Sequence, residues 1–177
     1  MTYYLRPARQ EDLSQVAEVD RSCFPTMSPA TNYQTELLNP LAHYIVVGGA
    51  ELIPGFAGLW LLAGEAHLIN IAVREAHRGK GLGEFLLIGI IQLAQSLKAS
   101  MLTLEVRVSN FVAQRLYVKY GLTERGRRRG YYLDNREDAI IMTLDDPSSS
   151  VYEATLRPLR DVYEAKWLRD TTLPLTD

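Results

Sequence analysis

A buried strand that runs through a glycine-rich loop into a long helix is the feature that most limits how this chain can fold. Residues 65–73 (EAHLINIAV) are mostly apolar and predict a strand, and the proline-free apolar stretch from Leu82 to Leu97 predicts a helix. The join reads Arg78-Gly79-Lys80-Gly81-Leu82-Gly83. Because glycine has no Cβ, successive N–H groups can turn toward one ligand there, and the helix start adds unpaired donors and the positive end of its dipole. The join therefore predicts a site for a diphosphate.

The spacing of these glycines separates three classes of enzyme. A Walker P-loop requires Ser or Thr after its lysine, whereas Gly81 follows Lys80 here. A Rossmann site requires Gly-x-Gly-x-x-Gly in the first βαβ unit, whereas this chain has Gly-x-Gly-x-Gly near its middle. The remaining pattern, Arg-x-x-Gly-x-Gly over residues 78–83, resembles the acyl-CoA pyrophosphate loop of the GCN5-related N-acetyltransferases (GNAT).

A second block of sequence strengthens this resemblance. Residues 104–110 (LEVRVSN), followed by Leu116-Tyr117 and by residues 120–122 (YGL), resemble the branch of bacterial ribosomal-protein-alanine N-acetyltransferases. Residues 70–73 (NIAV) and 136–142 (REDAIIM) match the same branch, so the resemblance runs from about Tyr3 to Leu144. The departures are local, and they concern Leu122 in place of Phe, Gly79 in place of a basic residue, and the absence of proline after Tyr131-Tyr132.

The pattern along the chain predicts a mixed α/β domain. Strands are predicted at Tyr3 to Arg6, Tyr44 to Val47, Phe56 to Leu62, Met101 to Arg107, Leu122 to Arg128 and Ala139 to Leu144, and helices at Glu11 to Ser22, Ala30 to Leu38 and Asn110 to Tyr120. The strands from Tyr44 to Val73 should form an antiparallel meander. The resemblance implies a GNAT fold of class α/β (α+β), a mostly antiparallel twisted sheet flanked by helices, over residues 1–145. A C-terminal extension, 146–177, begins with a Pro/Ser-rich linker at 146–150, and the segment after it is expected to be helical and interrupted by Pro158.

Composition limits the partners and the compartment. The chain has 177 residues, a formal net charge of −2 and a single cysteine, Cys23. This charge argues against a protein held mainly on nucleic acid, although residues 125–129 form a local basic run. One cysteine allows no intrachain disulfide, and the longest apolar run, Phe85 to Ile91, is too short to cross a membrane. We expect a cytoplasmic protein without a membrane partner; the oligomeric state stays open.

The resemblance also implies a cosubstrate and an acceptor. The cosubstrate is acetyl-CoA, no metal is required, and the acceptor is the N-terminus of a protein or peptide, with a ribosomal protein as one candidate. Backbone N–H groups around Ala72 and Val73 would polarise the thioester carbonyl. The residues expected to bind the cosubstrate are Ile71, Ala72, Val73, Arg78, Gly79, Lys80, Gly81, Leu82, Gly83, Glu84, Asn110 and Tyr117.

Glu105 is the candidate general base. An amine attacks a thioester only when it is neutral, and an α-amine with a pKa of about 8 is close to that state, whereas a lysine costs about 4 kcal/mol to deprotonate at pH 7.5. One carboxylate can therefore serve an α-amine. On its predicted strand Glu105 points away from the face that Leu104 and Val106 share. The alternative is a solvated or ion-paired glutamate, for example with Arg107; the resemblance favours catalysis.

Tyr117 is the candidate general acid for the departing CoA thiolate. It lies seven residues after Asn110, two helical turns, so both side chains project from one face of a helix. Asn110 would then face the pantetheine amides and Tyr117 the sulfur. An aromatic side chain packed in the core is the alternative, and the Leu-Tyr motif of the resemblance favours the acid.

Four further residues are candidates for the acceptor side. His67 is a possible second base acting through water, or a structural histidine. Tyr131 and Tyr132, expected in the loop before the last strand, would grip the backbone of the acceptor by resemblance, and Phe24 would wall the pocket for its first side chain; each also has a packing alternative. Acetylation of a lysine or a small amine, and a non-catalytic acyl-CoA sensor, remain alternative functions.

Overall fold

The computed structural model describes residues 3–26, 31–49 and 51–167. The helices and strands follow in the order β1 Tyr4–Pro7, α1 Leu13–Cys23, α2 Tyr33–Leu38, β2 Ala42–Gly48, β3 Gly55–Leu62, β4 Glu65–Val73, α3 Leu82–Ser96, β5 Met101–Arg107, α4 Phe111–Lys119, β6 Thr123–Tyr132, β7 Glu137–Asp145 and α5 Ser150–Trp167. The predicted start of the second helix, Ala30, lies outside the described residues.

The strands form one sheet in the order β1-β2-β3-β4-β5-β7-β6. Neighbouring strands are antiparallel, as in the predicted meander β2-β3-β4, except that β4 and β5 are parallel. The parallel pairing begins at Glu65 and Met101 and ends at Leu68 and Leu104, although both strands continue. A gap therefore opens between the last part of β4 and the last part of β5.

Helices cover the two faces of the sheet. Alternate residues of β2 belong to different buried clusters: Ile45 packs in the cluster of α3, and Val46 in the cluster of α1 and α2. Along β5 the apolar residues Leu104 and Val106 join the α3 cluster. Glu105 therefore lies on the face that α1 and α2 cover, as the alternation in its sequence predicts.

Two expectations about local structure were wrong. Tyr131 and Tyr132 do not lie in a loop, because β6 continues to Tyr132. This strand is at the edge of the sheet, is mostly exposed and has two register shifts, so its sequence lacks the apolar alternation that marks a strand. The C-terminal helix α5 also continues through Pro158. Buried Leu156 and Tyr163 anchor the helix on both sides of the proline.

Candidate active site

A cleft of about 590 Å³ lies between the end of β4, the start of α3 and the first turns of α4. Of the residues expected to bind the cosubstrate, only Lys80 does not line it; its ammonium donates to the Ala76 carbonyl at 3.2 Å. The cleft thus brings the glycine loop and Tyr117 to one space. Lining residues from the predicted set are Ile71, Ala72, Val73, Arg78, Gly79, Gly81, Leu82, Gly83, Glu84, Asn110 and Tyr117.

The glycine loop has the backbone geometry of an anion site. Gly79 and Gly81 have φ angles of 72° and 77°, in the left-handed region that favours glycine. Gly81 is the N-cap of α3 and offers no side chain to the N–H groups of the first turn, which are left for a ligand. Glu84 in that turn accepts from the Tyr120 hydroxyl at 2.7 Å and from the Lys119 ammonium at 2.5 Å, so its carboxylate ties α3 to α4.

A second cavity of about 270 Å³ occupies the gap between β4 and β5. Its walls include residues 68–71 of β4 and 104–107 of β5, together with side chains from α1, α4 and β6. Phe24, Asn110 and Tyr117 line both cavities, so the two are adjacent parts of one path. Glu105 and Tyr117 both line the second cavity.

Glu105 is ion-paired, but not with Arg107 of its own strand. Its carboxylate lies 3.2 Å from Nη2 of Arg128, and its side chain keeps 21% of its exposure. Arg107 instead binds Asp134 and Glu137, and its guanidinium lies 3.8 Å from the centroid of the Tyr132 ring.

The three candidate tyrosines have different environments. Tyr117 is only 5% exposed, and burial raises its pKa well above the ordinary value, so the phenol stays protonated. Tyr132 lines the second cavity, and mainly burial raises its pKa to about 12. Tyr131 packs edge-on against Tyr132 and, at 43% exposure, lines neither cavity. Tyr117 and Tyr132 therefore line the site, and the Tyr131 ring lies beside it, with its centroid 5.6 Å from Cζ of the arginine, Arg128, that pairs with Glu105.

Asn110 and His67 lie in contrasting positions. The Asn110 side chain caps α4 by accepting from the Ala113 N–H at 3.2 Å while it lines both cavities. His67 lies where β4 and β5 are still paired, opposite Thr103, and its Nε2 is 4.0 Å from Glu65. It is not among the residues that line either cavity, because the gap opens only beyond Leu68.

Asp20 lines the second cavity and was missed by sequence reasoning. It is 9% exposed, and mainly burial raises its pKa above the ordinary value of 3.8, against a hydrogen bond from Tyr33. The same Tyr33 hydroxyl accepts from Asn70 Nδ2 at 2.9 Å, and the buried Asn70 Oδ1 has no partner among the described residues. The sequence does contain a signal for the burial of Asp20, because this residue shares one face of α1 with the apolar residues Leu13 and Val16.

The described residues offer neither a cluster of metal ligands nor a membrane-spanning helix. No group of three or more His, Cys, Asp or Glu side chains there could hold a metal ion. None of the described helices is both long enough and apolar enough to span a bilayer.

A sheet opened at one parallel pair, with a glycine-capped helix start at the adjoining cleft, is the architecture expected of an acetyl-CoA-dependent N-acetyltransferase. The sequence profile of the Acetyltransferase (GNAT) family matches residues 12–122, and the chain belongs to this family. It is thus an N-acetyltransferase with acetyl-CoA as its cosubstrate.

Several relatives are similar over most of the chain. A Bacillus subtilis (strain 168) protein, provisionally assigned as a [ribosomal protein bS18]-alanine N-acetyltransferase, is 41% identical over 78% of this chain and 92% of its own. The N-alpha-acetyltransferase RimI of Mycobacterium tuberculosis is 31% identical over 77% of this chain and 90% of its own. The crystal structure of the ribosomal-protein-S18-alanine N-acetyltransferase from Escherichia coli superposes with a TM-score of 0.72 at 29% identity, over 82% of this chain and 94% of that chain.

Proposed function

We propose that this protein transfers acetyl from acetyl-CoA to the N-terminal α-amino group of a protein, with Glu105 as the base and Tyr117 as the acid. One observation carries the proposal: a carboxylate and a buried phenol line the same cavity, and that cavity adjoins the cleft at the glycine loop. An acceptor amine entering between β4 and β5 would meet the thioester between these two groups.

The reaction forms a C–N bond, breaks the C–S bond and moves two protons, one from the nitrogen and one to the sulfur. The amine nitrogen attacks the thioester carbonyl carbon, the C–S bond breaks, and Glu105 takes the proton that the nitrogen loses. N–H groups near Ala72 and Val73 would stabilise the charge on the carbonyl oxygen. Tyr117, which burial keeps protonated, donates to the departing sulfur. Tyr117→Phe should therefore lower kcat by about 10²-fold or more while leaving the packing of the ring intact.

The acceptor should be an α-amine because one carboxylate suffices for it. Its pKa of about 8 leaves much of it neutral near pH 7.5, whereas a lysine with a pKa of about 10.4 is almost wholly charged. Phe24 and Tyr132 line the second cavity and would contact the first residues of the peptide. Since relatives are named as [ribosomal protein bS18]-alanine N-acetyltransferases, a ribosomal protein with N-terminal alanine is the proposed acceptor.

A peptide competition tests the acceptor. Peptides beginning with Ala, Ser, Met or Glu, each with one internal lysine, are incubated with enzyme and acetyl-CoA, and tandem mass spectrometry locates the acetyl group. The expected product carries it on the first nitrogen of the Ala and Ser peptides, and matched peptides with a blocked N-terminus stay unmodified. Acetylation mainly on lysine would contradict the proposal, and absence of turnover with every amine would favour a sensor.

Asp20 favours acetylation of a lysine or small amine as the second candidate. A cavity with two carboxylates, one of them with a raised pKa, offers an additional proton acceptor to a more basic amine. Under this alternative, free polyamines outcompete the peptides, and Asp20→Asn removes their acetylation.

A further inference from the structure

Helix α5 lies antiparallel along α3 without a shift in register. At one end, Gln95 Nε2 donates to Glu153 Oε2 at 3.2 Å. Further along, the rings of Phe85 and Tyr163 stack with centroids 5.6 Å apart and planes at 16°. These partners are ten positions apart on both helices. If the two helices keep this register, the residue of α5 four positions after Tyr163 lies beside the N-cap of α3, four positions before Phe85.

That contact brings Trp167 onto Gly81, each four positions beyond the stacked pair. Indole atoms lie 2.8 Å from the point where a Cβ on Gly81 would stand, so the ring touches the glycine backbone. The contact with Gly81 leaves part of the ring accessible to solvent, since Trp167 remains 37% exposed. The ammonium of Lys166 lies 4.8 Å from the ring centroid. An open aromatic surface with a cation beside it thus adjoins the glycine loop.

The position of Trp167 relative to the cleft indicates which part of acetyl-CoA it would meet. Acetyl-CoA is linear: the thioester, the pantetheine arm, the diphosphate and the adenosine 3′-phosphate follow one another. With the diphosphate on the loop and the thioester near Tyr117, the pantetheine occupies the cleft between them. The nucleotide must then leave the cleft at the loop. Trp167 contacts the loop there and is not among the residues that line the cleft.

We infer that Trp167 and Lys166 form a subsite for the nucleotide of acetyl-CoA. The indole stacks on the adenine ring, as aromatic side chains stack on nucleobases in other proteins. The ammonium beside the indole pairs with phosphate oxygens of the nucleotide. The inference rests on the proposed placement of the cosubstrate. It assigns the C-terminal extension a part in binding, beyond its packing on α3.

Kinetics with two thioesters test the subsite. S-acetyl-4′-phosphopantetheine keeps the reacting end and one phosphate but lacks the nucleotide. Trp167→Ala should raise KM for acetyl-CoA by about 5- to 50-fold with kcat nearly unchanged, and leave KM for the shorter thioester unchanged. Val162→Ala, an exposed position on the same helix, is the matched control and should alter neither. Equal losses with both thioesters would mean that Trp167 only positions the loop, and no loss would mean packing alone; either result overturns the inference.

Fluorescence tests the contact without turnover. The chain has two tryptophans, so Trp60→Phe leaves Trp167 as the reporter and Trp167→Phe leaves Trp60. Adenosine 3′,5′-diphosphate should quench the first variant with saturation and leave the second unchanged. Absence of quenching at concentrations where CoA protects the enzyme from thermal unfolding would refute the subsite. If the enzyme acetylates no amine, the proposed function fails, and the quenching still decides the subsite.

Discussion

Arg128 reaches Glu105 across an intervening strand and holds its carboxylate at 3.2 Å. Arg128 lies on β6 and Glu105 on β5, with β7 between them. The guanidinium therefore competes with an incoming ammonium for the carboxylate oxygens of the proposed base. About half of the Arg128 side chain is exposed, so water can replace Glu105 when the pair separates.

Arg128→Gln should strengthen binding of the acceptor amine. Removing the guanidinium frees the Glu105 oxygens that it now contacts, so KM for the peptide should fall while KM for acetyl-CoA stays unchanged. KM values of Arg127→Gln, a neighbouring arginine paired with Glu124 instead, should coincide with those of the wild type. An unchanged peptide KM in Arg128→Gln would show that the ion pair does not compete with the acceptor.

Glu105→Gln should lower kcat by about 10² to 10⁴ and leave the dissociation constant of acetyl-CoA nearly unchanged. Single-turnover rates and calorimetric titration measure the two effects. Glu65→Gln is the matched control, because Glu65 is a strand glutamate outside both cavities and its loss should leave both quantities unaffected. Near-normal turnover of Glu105→Gln at every pH would exclude it as the base and direct attention to Asp20.

Gly81→Ala and Gly83→Ala should have opposite effects on the free energy of unfolding. At Gly81 a Cβ meets the Trp167 ring at 2.8 Å on a backbone with φ of 77°, so a loss of about 2–4 kcal/mol is expected. At Gly83, inside α3, a Cβ meets nothing within 4 Å, and better helix propensity should add up to about 1 kcal/mol. Denaturant unfolding without ligand measures both; equal stabilities would contradict this account of the loop.

Glu137→Gln should destabilise the protein at neutral pH and much less in acid. Hydrogen bonds from Ser109, whose backbone N–H donates at 2.8 Å, lower the pKa of Glu137 from 4.5 to about 2. The charged carboxylate therefore stabilises the fold above pH 4.5, and this contribution is lost as the pH falls toward 2. Urea unfolding at pH 7 and pH 3 should show the gap from wild type closing. The exposed Glu75→Gln provides the control, and a gap independent of pH would disprove the coupling.

The features that the sequence predicts well are local ones. Alternation along residues 101–107 places Glu105 opposite the apolar face of β5, as observed. Gly79 and Gly81 predict a loop before α3 that needs the conformational freedom of glycine, and in the structure both have positive φ. Family membership confirms the class of enzyme. The roles of the individual site residues stay predictions.

The features that the sequence could not predict depend on contacts between distant segments. The burial of Asp20 arises when Tyr33 and the Asn70 strand pack against α1. The partner of Glu105 is set by the order of β5, β7 and β6, not by its neighbours in the chain. The contact of Trp167 with Gly81 requires the whole antiparallel packing of α5 on α3.

The early end of the pairing between β4 and β5 has a consequence for how this protein can be improved. Beyond Leu68 and Leu104, β4 is paired only with β3, and β5 only with β7. The facing edges of β4 and β5 therefore have unpaired backbone groups, with space for a ligand between them. Substitutions that let the two edges join would add hydrogen bonds and raise the melting temperature. The same substitutions would close the cavity in which we propose that acetyl-CoA and its acceptor meet. Selection for thermal stability alone would thus yield a protein that is more stable but inactive.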